Sequence, residues 1–133
     1  MLKLVDSGAR SHLPFSPAFI AGELMFVSGQ ASVDAETGAI IAGSFEEEMR
    51  RSIENLRAIL EAGGLSLDHV VNVKSYVAEE ADLALYNQIY PEYFSEPRPS
   101  RSTIVGVLGT KLKFELDCVA YVGATRQQAE RIG

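Results

Sequence analysis

The chain has 133 residues, 47% of them apolar, and carries 18 acidic against 12 basic side chains for a net charge of −6. That length fits a single domain over residues 1–133, burying roughly two thirds of its unfolded surface, and the negative field repels phosphate backbones, which makes nucleic acid a poor partner. No apolar run approaches the roughly 20 residues that cross a bilayer, and the N-terminus lacks the basic start and apolar middle of a secretion signal, so no membrane role is expected and a cytoplasmic location is the default.

Residues 24–27 form a short apolar run closed by Ser28, Gly29 and Gln30, which reads as a strand ended by a glycine turn. Residues 31–33 and 39–41 flank the turn-rich DAETG as a hairpin. Ser44 followed by Glu47 is a capping box, and Phe45, Met49, Ile53, Leu56, Ile59 and Leu60 recur at helical spacing until Gly63 and Gly64. Glu46 with Arg50 and Glu47 with Arg51 stand four apart and read as ion pairs on a solvated outer face.

Residues 70–77 alternate, with Val71, Val73 and Val77 on the buried side and Asn72, Lys74 and Tyr76 on the other. A second helix from about Asp82 carries Tyr86, Ile89, Tyr90, Tyr93 and Phe94 as a packing stripe. Pro91 cannot donate to the Asn87 carbonyl four residues back, so either a kink that frees this carbonyl for a polar site or a tolerated distortion is expected.

Residues 102–108 and 112–122, joined by Gly109, Thr110 and Lys111, read as a closing hairpin. In that register Ile104 and Leu108 share the helix-covered face with Leu112, Phe114, Leu116, Cys118, Ala120 and Val122. Arg101 and Glu115 then point together to the opposite face, offset by about four residues, or roughly 13 Å at about 3.3 Å per residue. This second face is too apolar for water and too charged for a closed core. Two helices blanket only one side of a sheet, so another copy of the chain is expected on the other. The tail 124–133 reads as a short helix or a frayed end.

Arg101 stands at the mouth of a strand, set by Pro97 and Pro99. Its planar, permanently charged fork matches a carboxylate two bonds at a time, so it is a candidate anchor for a small acid, against the plainer reading of a surface arginine. Cys118 is the sole cysteine and lies in an alternating apolar strand, a packing position. His12 and His69 have no partner at ligand spacing, and no phosphate loop, nucleophile elbow or HExxH string occurs. No metal and no cofactor are expected.

In order, PFSPAF, AGELMFVSGQ, DAETG, ENLRAILEAGG, YNQIYPEYF, PSRSTI and FELDCVA resemble the Rid family, also called the YjgF family, from about Pro14 to Ala120. The resemblance implies a chorismate-mutase-like α+β fold, a mixed sheet of about six strands with two main helices on one face. It also implies a homotrimer with sites between subunits and hydrolysis of imines and enamines such as 2-iminopropanoate and 2-aminoacrylate to keto acid and ammonia. Arg101 matches the family's carboxylate-binding arginine and Glu115 the glutamate near the attacking water. Asn87 matches the asparagine of the second helix, Ser28 and Gly29 the turn lining the cleft, and Thr103 a position where many members have cysteine. The chain departs from the family at Phe15, where many members have tyrosine, and at Pro17 in place of glutamine, which points to an altered or larger substrate.

The chemistry agrees with these assignments. Arg101 grips the carboxylate, water adds to the imine carbon, and Glu115 orients that water if partial burial and nearby Asp117 raise its pKa. An interface salt bridge is the structural alternative for Glu115, and wall packing for Phe15. The alternatives in function are a non-catalytic sensor of small carboxylates and a deaminase of a larger enamine such as 2-aminomuconate.

Overall fold

The structure, a computed structural model, describes residues 1–8 and 12–133. Helix α1 (Phe45–Ala62) begins where the capping box places it: Ser44 Oγ accepts from the Glu47 amide at 3.1 Å while Glu47 Oε1 accepts from the Ser44 amide at 2.9 Å. Its Met49, Ile53, Leu56, Ile59 and Leu60 are fully buried, each contributing roughly 1.5–3 kcal/mol by leaving water.

The outer face of α1 differs from expectation. Glu46 does pair with Arg50 at 3.0 Å, but Glu47 is occupied by the cap, and Arg51 donates instead to Ser32 Oγ at 3.0 Å. Glu48 is not solvated; it is 1% exposed and accepts from the Gly43 and Lys113 amides at 3.2 and 3.0 Å, with Lys113 Nζ at 3.4 Å. It ties the start of α1 to the last long strand.

Among the described residues six strands form one sheet: β1 (Leu2–Val5), β2 (Ala18–Ala21), β3 (Leu24–Ala31), β4 (Val70–Val77), β5 (Ser100–Val105) and β6 (Phe114–Tyr121), in the order β1-β2-β3-β6-β4-β5. β1 and β2, unread in the sequence, form a meander with β3 through a two-residue loop in which Gly22 takes φ 62°. The expected hairpin around DAETG forms as a short one, with Val33 bridging Ile40 and the Asp34 and Ile41 amides donating to the Ala39 and Ser32 carbonyls at 2.8 Å each. β6 lies between β3 and β4 and is antiparallel to both. Helix α2 (Leu83–Tyr93) carries the crossover from β4 to β5, which pair in parallel. Both helices cover one face of this mixed sheet, as the α+β reading requires.

The closing hairpin does not form. β5 stops at Val105, Gly106 at φ 88° donates its amide to Val77, and β4 separates β5 from β6. A ladder on both sides buries the strictly alternating β6, whose Phe114, Leu116, Cys118 and Ala120 face the helices. Edge strand β5 leaves Ile104 exposed, and Val122 lies beyond the covered face. In β4 a register shift between Val70 and Asn72 turns Val71 outward and puts Val70 into the core. The face away from the helices carries Phe19, Leu24 and Phe26, all substantially exposed, and no helix of the described residues covers it.

Candidate active site

Parallel pairing decides where Arg101 points. Arg101 lies beside Val73 and Thr103 beside Ser75, both of which face the helices, so the Arg101 side chain extends toward α2. There Tyr86 and Tyr90, four residues apart, form a trough of two rings with centres 5.8 Å apart and planes inclined at 62°. The guanidinium carbon lies 4.8 Å from each ring centre. Nη2 donates to Asn87 Oδ1 at 2.9 Å, and the Tyr86 and Thr103 hydroxyls share a 2.9 Å hydrogen bond. α2 continues through Pro91 to Tyr93, and the contact Asn87 offers is its side-chain amide rather than its carbonyl.

Every partner of Arg101 is neutral. Among the described residues no acidic group forms an ion pair with it. Burial pushes the Tyr90 hydroxyl pKa up, so the phenol stays protonated, and this hydroxyl has no hydrogen-bond partner. The cation is thus oriented by π faces and an amide oxygen and left free for an external anion.

Glu115 is built on the other side. It pairs with Tyr76 in the sheet and alternates with the buried Phe114 and Leu116. A register shift in β3 between Val27 and Gln30 makes a bulge at Ser28 and Gly29, which extends β3 past the glycine turn where it was expected to end; such bulges re-aim chain beside active sites. Ser28 is clamped through its hydroxyl to the Ser16 carbonyl at 2.6 Å and through its amide to the Pro17 carbonyl at 2.9 Å. A Cβ on Gly29 would sit 3.1 Å from the Glu115 carboxyl, a tight contact that the carboxyl could relieve only by moving.

Phe15, Ser28, Gly29 and Glu115 line one cleft of about 540 Å³, with Leu13, Ile40 and Leu112 as further apolar wall. Burial foremost, and then the charge of Asp117, raise the Glu115 pKa above the ordinary carboxylate value. Asp117 is itself held by the Tyr76 hydroxyl at 3.0 Å.

The sequence-predicted site therefore falls into two groups. Arg101, Asn87 and Thr103 lie together at the α2 edge, while Phe15, Ser28, Gly29 and Glu115 share the cleft. Arg101 and Glu115 do not point to the same side, because β4 and not a shared hairpin sets their registers: its inward Val73 neighbours Arg101 and its outward Tyr76 neighbours Glu115.

Two features escaped the sequence reading. Tyr86 and Tyr90 looked like plain packing, although an aromatic pair flanking Asn87 at helical spacing was the available signal. Arg126, in the tail read as a short helix or a frayed end, opens a single 3-10 turn (Arg126–Gln128), is 6% exposed and donates to the carbonyls of Leu67, Val70, Ser95 and Pro97 at 2.6 to 2.9 Å. It fixes the segment that delivers Arg101, and nothing in its neighbours signals this.

Burial pushes the Cys118 thiol up, which suits packing and not nucleophilic attack. Among the described residues no cluster of three or more His, Cys, Asp or Glu could hold a metal, and no helix is long and apolar enough to cross a membrane.

The family model described as Endoribonuclease L-PSP matches residues 8–122. The chain belongs to this family, the Rid family. It is 41% identical over 109 residues to a RutC family protein of Pyrococcus abyssi, covering 81% of this chain and 86% of that one. Human 2-iminobutanoate/2-iminopropanoate deaminase is 30% identical over 111 residues, covering 83% and 81%. The crystal structure of a Thermotoga maritima protein superposes with a TM-score of 0.81 at 38% identity, covering 90% of this chain and 96% of that one.

Proposed function

We propose that this Rid protein is an enzyme that hydrolyses small imine and enamine carboxylates of the 2-iminopropanoate and 2-aminoacrylate type to keto acid and ammonia, in sites formed between the subunits of a homotrimer. The observation that carries this reading is the pairing of an oriented, unneutralised Arg101 with a half-buried Glu115 of raised pKa, a cation for the substrate and a carboxylate for the water. Two relatives named 2-iminobutanoate/2-iminopropanoate deaminase and one named a reactive intermediate deaminase support it.

Arg101 takes the carboxylate, which places the imine carbon. Ionised Glu115 accepts a proton from water as its oxygen bonds to that carbon, giving a carbinolamine. That proton passes to the nitrogen, completing the neutral carbinolamine; the proton of the new hydroxyl then reaches the nitrogen by way of Glu115 as the C–N bond breaks, so that ammonia leaves and the hydroxyl oxygen becomes the carbonyl. Because such imines also hydrolyse in water, a thousandfold acceleration needs only about 4 kcal/mol, within reach of one charge-assisted anchor and a positioned water.

Arg101 and Glu115 lie on opposite faces of one sheet, so a neighbour must bring its β5 edge to the cleft of the next copy. The uncovered Phe19, Leu24 and Phe26 supply apolar contact for that neighbour. Ribonuclease chemistry is disfavoured by the net charge of −6 and by the absence of a basic stripe. The sensor alternative would show as ligand binding without turnover. The wall of Leu13, Phe15, Ile40 and Leu112 favours apolar substrate groups over the second carboxylate of 2-aminomuconate; among the described residues of one copy, His12 is the only basic side chain lining the cleft.

The test is complementation. Arg101→Ala and Glu115→Gln are each impaired by about 10²-fold or more alone, and mixing them by dissociation and reassociation restores keto-acid release from enzymatically generated imine, because some mixed sites carry both native residues. No recovery in verified mixed oligomers overturns the intersubunit site, and full activity of Arg101→Ala overturns the deaminase reading.

A further inference from the structure

Tyr86 is fully buried and is the only residue that touches both Arg101 and Thr103 through its own side chain among the hydrogen bonds and ring contacts of the α2 trough. Its ring faces the guanidinium at 4.8 Å and its hydroxyl holds Thr103 Oγ1 at 2.9 Å. Asn87 fixes a single nitrogen of the guanidinium, which leaves rotation about that hydrogen bond to be stopped by a surface. The Tyr86 and Tyr90 rings, inclined at 62°, provide it on two sides. A bidentate carboxylate bond requires the guanidinium plane itself to be set, not only its position.

Building on the deaminase reading, we propose that Tyr86 is a positioning residue for the carboxylate: its ring sets the plane of the Arg101 guanidinium, and its hydroxyl, through Thr103, locks the strand mouth from which Arg101 extends. Tyr86 is no catalytic residue, since it acts through Arg101. The phenol lost at Phe15 is not replaced here as a proton relay; what Tyr86 contributes is geometry. The arrangement also keeps the anchor free of an internal acid, which would compete with substrate for the same fork.

The experiment compares Tyr86→Leu, which removes ring and hydroxyl, with Tyr86→Phe, which keeps the ring. Ile89→Ala, from the buried stripe of the same helix, controls for loss of packing. The readouts are kcat and KM with 2-iminopropanoate, and the Kd of pyruvate, a stable keto acid with the same carboxylate.

Expected are a rise of about tenfold in KM and in pyruvate Kd for Tyr86→Leu, with kcat within about threefold of the native value. Tyr86→Phe, which keeps the ring and loses only the hold on Thr103, raises KM by about threefold, and Ile89→Ala loses thermal stability with KM unchanged. A Tyr86→Leu protein with native KM and Kd overturns the inference while leaving the deaminase reading intact, as does an equal KM rise in Ile89→Ala. A native protein that neither binds pyruvate nor releases keto acid overturns the reading on which it rests.

Discussion

The two halves of the candidate site treat charge in opposite ways. Around Arg101 the surroundings are neutral and polarisable, two rings and an amide oxygen, so the cation is oriented without being spent on an internal acid. Around Glu115 the surroundings are burial and a second carboxylate, so the anion is made costly and its proton affinity rises. On the proposed function, one half binds an anion in a set orientation and the other exchanges a proton. The two groups sit on opposite faces of one sheet, which is why the proposed reaction draws on two copies of the chain.

The sharpest way to break that comparison is to remove the anchor. Arg101→Ala should lower kcat/KM on 2-iminopropanoate by about 10²- to 10³-fold, and Arg101→Lys should recover only part of it, because a point charge cannot present a fork to a carboxylate. Equal activity of the lysine variant would show that charge alone, without the oriented plane, is enough.

The second prediction concerns the proton-exchanging half. Glu115→Gln should lower kcat by about 10²-fold with KM little changed. It should also raise thermal stability at neutral pH. A carboxyl whose folded pKa is raised contributes stability that is fully present below the ordinary carboxylate range and is lost as pH rises through the raised value. The native protein should therefore lose stability across that window, and the glutamine variant should not, as thermal melts between pH 4 and about pH 8 would measure.

A smaller effect is expected from the bulge. Gly29→Ala places a Cβ 3.1 Å from the Glu115 carboxyl, a contact the carboxyl relieves by shifting a few tenths of an ångström. The expected cost is about tenfold in kcat with substrate affinity retained, read from steady-state kinetics. The same substitution at Gly22, where nothing lies within 4 Å of the added carbon but φ is 62°, should cost stability through backbone strain and leave kcat alone.

What the sequence made legible follows from how local each determinant is. The capping box and apolar stripe of α1 are written within twenty residues, and they gave its start, its buried face and its end. Arg101, Asn87 and Thr103 were singled out from residue chemistry and family resemblance, and the structure brings these three together. Strand pairing is decided at a distance: two consecutive apolar runs with glycines between them resemble a hairpin, yet β6 gains a ladder on each side by inserting between β3 and β4. That one choice reversed the side on which Arg101 points. Glu48 and Arg126 were illegible for a related reason, since a charged residue reveals its burial only through amides and carbonyls supplied by remote segments.

The smallest prediction isolates the second cause acting on Glu115. Asp117→Asn keeps an acceptor for the Tyr76 hydroxyl, which bonds Asp117 at 3.0 Å, and removes only the negative charge. Burial, the larger cause, remains, so the Glu115 pKa should fall without returning to the ordinary carboxylate value. If the ionised carboxylate is the working form, kcat rises with pH through that pKa in the native protein, and the acid limb moves to lower pH in Asp117→Asn while the plateau rate stays within about twofold. A limb that moves to higher pH, or a plateau that collapses with the limb unmoved, would mean that Asp117 serves the reaction by something other than its field on Glu115.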